Sequence, residues 1–290
     1  MPETSVIHDL GYQRYAGPRL GRGYAFRTLY LHSLRTAFGL GRGVKAKLFA
    51  WTIAGLIGAV GLIFTVIEAQ TGEAPLTDPQ FVDQMAILSV LFLAVVGPEL
   101  VSRDQHTRML SLYFARPLRR SDYALARLGG LISALWLVLA APLLLMFAGA
   151  ALSTKKGAGG VADAAGHLAM GLAHAATHAV LLGSLSLLIA SLIRRRAVAA
   201  AAIAGAFLVG TPIIAFTEGL GASAGTSELV SIVHPPTALS YLGAWLYSGG
   251  NWDYDSHHHI ANGPLLAGYV LVVTVVSVAL LVTRYRKVSA

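Results

Sequence analysis

Residues 125–152 read LARLGGLISALWLVLAAPLLLMFAGAAL, twenty-eight positions with one charge, Arg127. A helix rising 1.5 Å per residue needs about 20 apolar residues to cross a hydrocarbon core about 30 Å thick. A soluble helix would confine such residues to one stripe; here they fill every face. Five further stretches have the same character, at about residues 48–67, 82–101, 165–193, 197–216 and 264–283. The chain therefore reads as an all-α integral membrane protein with six transmembrane helices. Its composition agrees. Of 290 residues, 55% are hydrophobic and 12% charged, where an ordinary soluble domain carries about 25% charge. The absence of cysteine excludes a disulfide framework, a thiolate metal centre and a cysteine nucleophile.

The net charge of +8 would fit a nucleic-acid partner until the charges are placed. With six spans both termini share one side, and twenty of the twenty-two Lys and Arg residues fall there; only Lys155 and Lys156 do not. The positive-inside rule then predicts cytoplasmic termini and a multi-pass protein of the plasma (inner) membrane, with anionic lipids rather than nucleic acid as the counter-charge. The outer connections are acidic, including Glu68, Asp78, Asp83 and Asp163. The longest, about 217–263, carries Trp245, Tyr247 and Trp252, which suit short interfacial helices. His234-Pro235-Pro236 breaks any helix that reaches it.

Two divisions follow: a cytoplasmic N-terminal segment, 1–47, and a six-helix membrane domain, 48–290. In the first, Phe26, Leu29, Tyr30, Leu34, Ala37 and Phe38 recur at helical spacing with Arg27 and Arg35 off that face, predicting an amphipathic surface helix. Gly39-Leu40-Gly41-Arg42-Gly43 ends it as a joint, since no strand precedes it and the spacing is not that of a dinucleotide fingerprint.

The most informative connection is the segment of about 102–120, between spans two and three. Ser102-Arg103-Asp104 forms a charged turn, Met109 to Ala115 an apolar run, and Arg116-Pro117-Leu118 leads to Ser121, expected to cap the next helix with Asp122 and Tyr123 in its first turn. At these residues the chain resembles the permease subunits of ABC exporters of the antibiotic and multidrug class, although Thr107-Arg108-Met109 stands where that family has a Gly-Thr step. The likeness extends to the six spans, the inside termini and the N-terminal elbow helix. It implies that 102–120 is a cytoplasmic coupling helix docking on a separate ATPase subunit. Arg103, Asp104, Arg108, Leu110, Leu112, Tyr113, Phe114 and Arg116 are the residues it assigns to coupling. It implies further a second copy of the chain, or a related permease, as partner, with spans one, two and five as walls of the path. ATP and Mg²⁺ would sit on the ATPase subunit. No Gly-Lys pair exists in this chain from which a Walker A could be built, so no catalytic residue and no cofactor is expected here.

Polar residues at membrane depth are costly. In span four, His167, His174 and His178 fall within about 40° on one helical face. His167 and His178 are about 16 Å apart along the axis, too far to share a metal. Cross-helix hydrogen bonding, with Thr177, Ser184 and Ser186, is the expected use of this face; an intramembrane polar path through His174, His178 and Glu99 is the functional alternative. Glu99 is expected one turn from Arg103. His257, His258 and His259 form a weak candidate metal cluster in the outer connection. Two other functional classes fit these residues: a membrane enzyme using the span-four histidines on a lipid, and a non-catalytic assembly or metal-sensing subunit. In span five, Gly205 and Gly210 invite close helix approach and Thr211-Pro212 a kink.

Overall fold

A computed structural model describes residue 17 and residues 20–41, 44–106, 118–155, 157–219, 233–248 and 263–287. Among the described residues the fold is all α: α1 (Arg22–Ala37), α2 (Val44–Thr71), α3 (Asp78–Gln84), α4 (Ala86–His106), α5 (Arg120–Ser153), α6 (Gly157–Leu192), α7 (Arg196–Leu208), α8 (Gly210–Gly219), α9 (Pro235–Ser248) and α10 (Gly263–Lys287). Among those residues five spans are long and apolar enough to cross a membrane: α2, α5, α6, α10, and α7 with the start of α8. The pair α3–α4, bent by 55°, counts as a sixth when the two helices are taken as one span.

The centre is α5 against α6, with α2, α1 and α10 also packed on α5, and α4 bridging α6 to α7. Helices α5 and α6 bury 50% and 61% of their most apolar stretches, whereas α2, α7–α8 and α10 each bury 22%. The peripheral helices thus turn large side chains outward, among them Trp51, Leu62, Ile63, Ile213, Leu271 and Val275. In water such a surface would aggregate. In hydrocarbon it is the ordinary exterior.

Helix α1 buries Leu29, Ser33, Thr36 and Ala37, a one-sided stripe of helical spacing. Its buried face is rotated from the predicted one: Phe26 is 37% exposed while the polar Ser33 is fully buried. The cause lies in α5. A Cβ on Gly130 would stand 2.5 Å from Ser33 Cβ, so the small pair lets the backbones touch, and a larger residue at 33 would not fit. Arg127 donates to Ser33 Oγ (3.3 Å), whose hydroxyl donates to the Leu29 carbonyl (2.7 Å). Tyr30 and Ser133 hydroxyls meet at 2.8 Å. The Gly39 joint closes α1 in a Schellman turn, with Gly39 at φ 65° and the Gly39 and Leu40 amides donating to the carbonyls of Thr36 and Arg35.

The α3–α4 break is a built one. Thr77 caps α3, with the Gln80 amide donating to Thr77 Oγ1 and the Thr77 amide to Gln80 Oε1, a reciprocal pair that starts a fresh helix. In span five the bend falls at Val209, because Pro212 has no N–H for the Leu208 carbonyl.

Candidate functional site

The helix ends that carry most of the described basic residues meet at one pole of the bundle. Arg22 grips Asp122 through two bonds of 2.6 Å, Nε to Oδ2 and Nη2 to Oδ1, the bidentate geometry that suits guanidinium and carboxylate. Asp122 Oδ2 also accepts from the Arg119 amide at 3.2 Å. This corrects the expected cap: the N-cap of α5 is Arg119, not Ser121, because the Asp122 carboxylate reaches back to it. Arg120 Nη1 donates to the Arg286 carbonyl at the end of α10 (3.0 Å), the Tyr123 and Tyr285 rings meet at a tilt with centroids 5.2 Å apart, and Arg127 lies over the Tyr123 ring. Glu99, for which Arg103 was the expected neighbour, has Oε2 2.5 Å from Arg196 Nη1, joining α4 to the start of α7.

Between the end of α4 and the start of α5 lies the expected coupling segment. Arg103 and Asp104 belong to the last turn of α4, their side chains outside the described residues. Arg108, Leu110, Leu112, Tyr113, Phe114 and Arg116 lie outside the described residues altogether, as do His257, His258 and His259.

At the opposite pole a cavity of about 640 Å³ opens between the ends of α2, α5 and α6. Its lining includes three carboxylates, Glu68, Asp78 and Asp163, together with His167 and Lys155. His167 is exposed there, so it parts company with the other two histidines of α6.

Those two enter the interior. His174 Nε2 is 2.9 Å and His178 Nε2 3.3 Å from one oxygen, Oδ1 of Asp83 on α3. Both imidazoles are buried. Their rings meet edge to face at 4.6 Å, and His174 meets Tyr247 of α9 in the same way at 5.7 Å. A Cβ on Gly243 would come within 2.5 Å of the His174 ring, so α9 sits directly on it. The expected cross-helix bonding is met by the histidines; Thr177 and Ser184 instead donate to carbonyls of their own helix, those of His174 and Leu181. Sequence reasoning assigned Asp83 to an outer connection. The signal that would have recovered it was its position one residue inside a span starting at Val82, where an unpaired carboxylate is hard to tolerate.

A third histidine locks the α7–α8 bend. His234 Nε2 donates to the Phe207 carbonyl at 2.6 Å, a group near the point where the helix ladder breaks, and Nδ1 accepts from Thr237 Oγ1 at 2.8 Å. Gly210 makes room for that ring, since its Cβ would lie 2.1 Å from His234 Cδ2. Gly205, the other glycine singled out in this span, has nothing within 4 Å of its Cβ position.

No curated protein matches the sequence. A family described as ABC-2 family transporter protein matches residues 31–290, a range that takes in every helix from the second half of α1 onward. Members of that family are non-catalytic permeases and generally pair with a separate ATPase subunit. The chain belongs to the ABC-2 family of membrane transporter proteins.

Proposed function

We propose that the protein is the transmembrane subunit of an ATP-driven exporter in the inner membrane, coupled through residues 102–120 to a separate ATPase that binds ATP and Mg²⁺. The observation that carries this reading is the family match over 31–290, with the expected coupling segment joining α4 to α5 at the pole where Arg22, Arg120 and Arg196 gather. A cytoplasmic setting for that pole follows from the positive-inside rule, with α1 as the elbow along the inner leaflet. Two copies, or one copy and a related permease, would pair through the apolar faces left bare on α2 and α7–α8, with α3–α4 between them lining the path.

Closure of the ATPases would push on the 102–120 segment. Two connections lead away from it. One runs through α4 and the Glu99–Arg196 pair into α7. The other runs through Asp122 to Arg22 and α1. Each pair ties a helix end at this pole to a second helix, a route by which displacement of the segment would reach the bundle.

The test is to extract the tagged protein in mild detergent and identify its companions by mass spectrometry. A stoichiometric ATPase, lost in Leu110→Asp with Phe114→Asp while membrane insertion is kept, is the expected result. A clean preparation without ATPase would sink the assignment.

A further inference from the structure

The Asp83–His174–His178 cluster is not used by the reading above, and its hydrogen bonding does not close. His178 Nδ1 faces the main-chain carbonyl of His174 at 3.3 Å. A carbonyl only accepts, so Nδ1 carries the proton. In the neutral imidazole Nε2 is then a bare lone pair, and it points at Asp83 Oδ1 from 3.3 Å. Two acceptors face each other where His178 is fully buried and Asp83 nearly so. Asp83 Oδ2 and His178 Nε2 are moreover buried without a hydrogen-bond partner. Each such group is costly to bury unless something satisfies it. Among the described residues the two histidines are the only side chains seen to pair with Asp83.

From this geometry we propose that Asp83, His174 and His178 form a binding site for a divalent transition-metal ion of the zinc type. Nε2 of each imidazole and Oδ1 of the carboxylate would be the donors. All three atoms lie within 4.8 Å of one another. The imidazole nitrogens stand 2.9 and 3.3 Å from Oδ1, one short of and one at the edge of about 3.3 Å that a tetrahedral ion with ligands about 2.0–2.1 Å away requires. Two imidazoles and one carboxylate are a borderline donor set, suited to Zn²⁺ and its neighbours rather than to Mg²⁺ or Ca²⁺. The Nδ1 contact of His178 to a carbonyl is the outer-shell bond that fixes such a ligand's tautomer. The acidic cavity lies close by. His167, in the wall of the acidic cavity, lies seven residues and about 10 Å along α6 from His174, and Asp78 of the same wall opens the short helix that ends beside Asp83. The bound ion would clamp the broken span α3–α4 to α6, with α9 resting on one of its ligands.

The experiment uses the full chain, purified in detergent without a histidine tag and with His257, His258 and His259 replaced by Ala to remove loop binding. Its zinc content is measured, and the chelator-treated protein is titrated with Co²⁺. One ion per chain and a visible ligand-field band on Co²⁺ binding are expected. Asp83→Asn and His178→Ala, each checked for a monodisperse fold, should weaken binding by more than about 100-fold, the upper end of what loss of an outer-shell partner alone costs. Absence of both zinc and the Co²⁺ band in the parent protein would overturn the proposal whatever the variants do. So would undiminished binding in the folded variants. So would a His178 ring that nitrogen NMR shows doubly protonated in metal-exposed protein, since a proton would then fill the gap between the acceptors. None of these readouts requires an ATPase, so the site stands or falls apart from the transport assignment.

Discussion

Gly130 of α5 and Ser33 of α1 sit so close that a Cβ on the glycine would lie 2.5 Å from Cβ of the serine and 3.2 Å from the Leu34 amide nitrogen. The nearest obstacles are a rigid Cβ and backbone, and neither can swing aside. Gly130→Ala should therefore push α1 off α5 at a cost of about 1–3 kcal/mol, read as a lower unfolding midpoint in detergent. Adding Ser33→Gly should recover part of that loss. A Gly130→Ala protein as stable as the parent would show that α1 does not pack there.

Asp122 is the joint between two helix starts, receiving the Arg22 guanidinium and the Arg119 amide. Arg22 beside it holds the Asp122 side in place from an exposed position, so salt should weaken the pair. Asp122→Ala is expected to raise hydrogen exchange in the first turns of both α1 and α5. Arg22→Ala should raise it in α1 alone, because the α5 cap would survive. Equal exchange in the two variants would mean that the carboxylate does not cap α5.

Gly210→Ala should unseat His234 and with it the start of α9, because the added methyl would occupy the ring's place. The readout is the fluorescence of Trp245, which lies on α9. His234→Ala in the same chain should restore the packing of residue 210 while leaving the Phe207 carbonyl without its donor.

The same contact is pH-dependent. Burial pushes the His234 pKa below its usual value, against the opposing pull of the Phe207 carbonyl. The docked ring is thus neutral while a released one titrates near 6.5. Docking is complete above that pH and weakens as the pH falls below it toward the docked ring's own pKa, since the released state takes up the proton first. Exchange of α9 amides should rise on acidification from pH 7 in the parent and stay flat in His234→Gln.

Orientation can be read with single cysteines, as the chain has none of its own. Ser111→Cys and Ser248→Cys should react with a membrane-impermeant thiol reagent from opposite faces of inside-out and right-side-out vesicles. Labelling of both from one face would refute the cytoplasmic placement of the coupling segment.

The spans were legible because a hydrocarbon solvent imposes length and apolarity on any helix that crosses it, whatever it packs against. What escaped was decided by partners far away in sequence. Ser33 looks like a polar position on a surface helix until Gly130 and Arg127 are brought beside it, about a hundred residues on. Ser121 has the chemistry of a cap, yet Asp122 reaches back to Arg119 and starts the helix earlier. The histidine face of α6 was visible from spacing alone, but spacing along one helix joins His167 to the pair, and only the approach of α3 separates them. The bend in span five was announced by Pro212; its lock, His234, was hidden because it comes from the far side of a long connection.

Asp83 and its first imidazole are 91 positions apart in the chain, and that separation has a meaning for biosynthesis. A ribosome adding about 5–20 residues per second makes His174 roughly 5–20 s after Asp83. Through that interval α4 can enter the bilayer by its own apolarity, but a carboxylate with no partner is held at the water boundary. The short helix before the bend would then wait outside and seat only when α6 arrives. Seen this way, the break at Met85 separates what the insertion machinery handles early from what the folded bundle draws in afterwards.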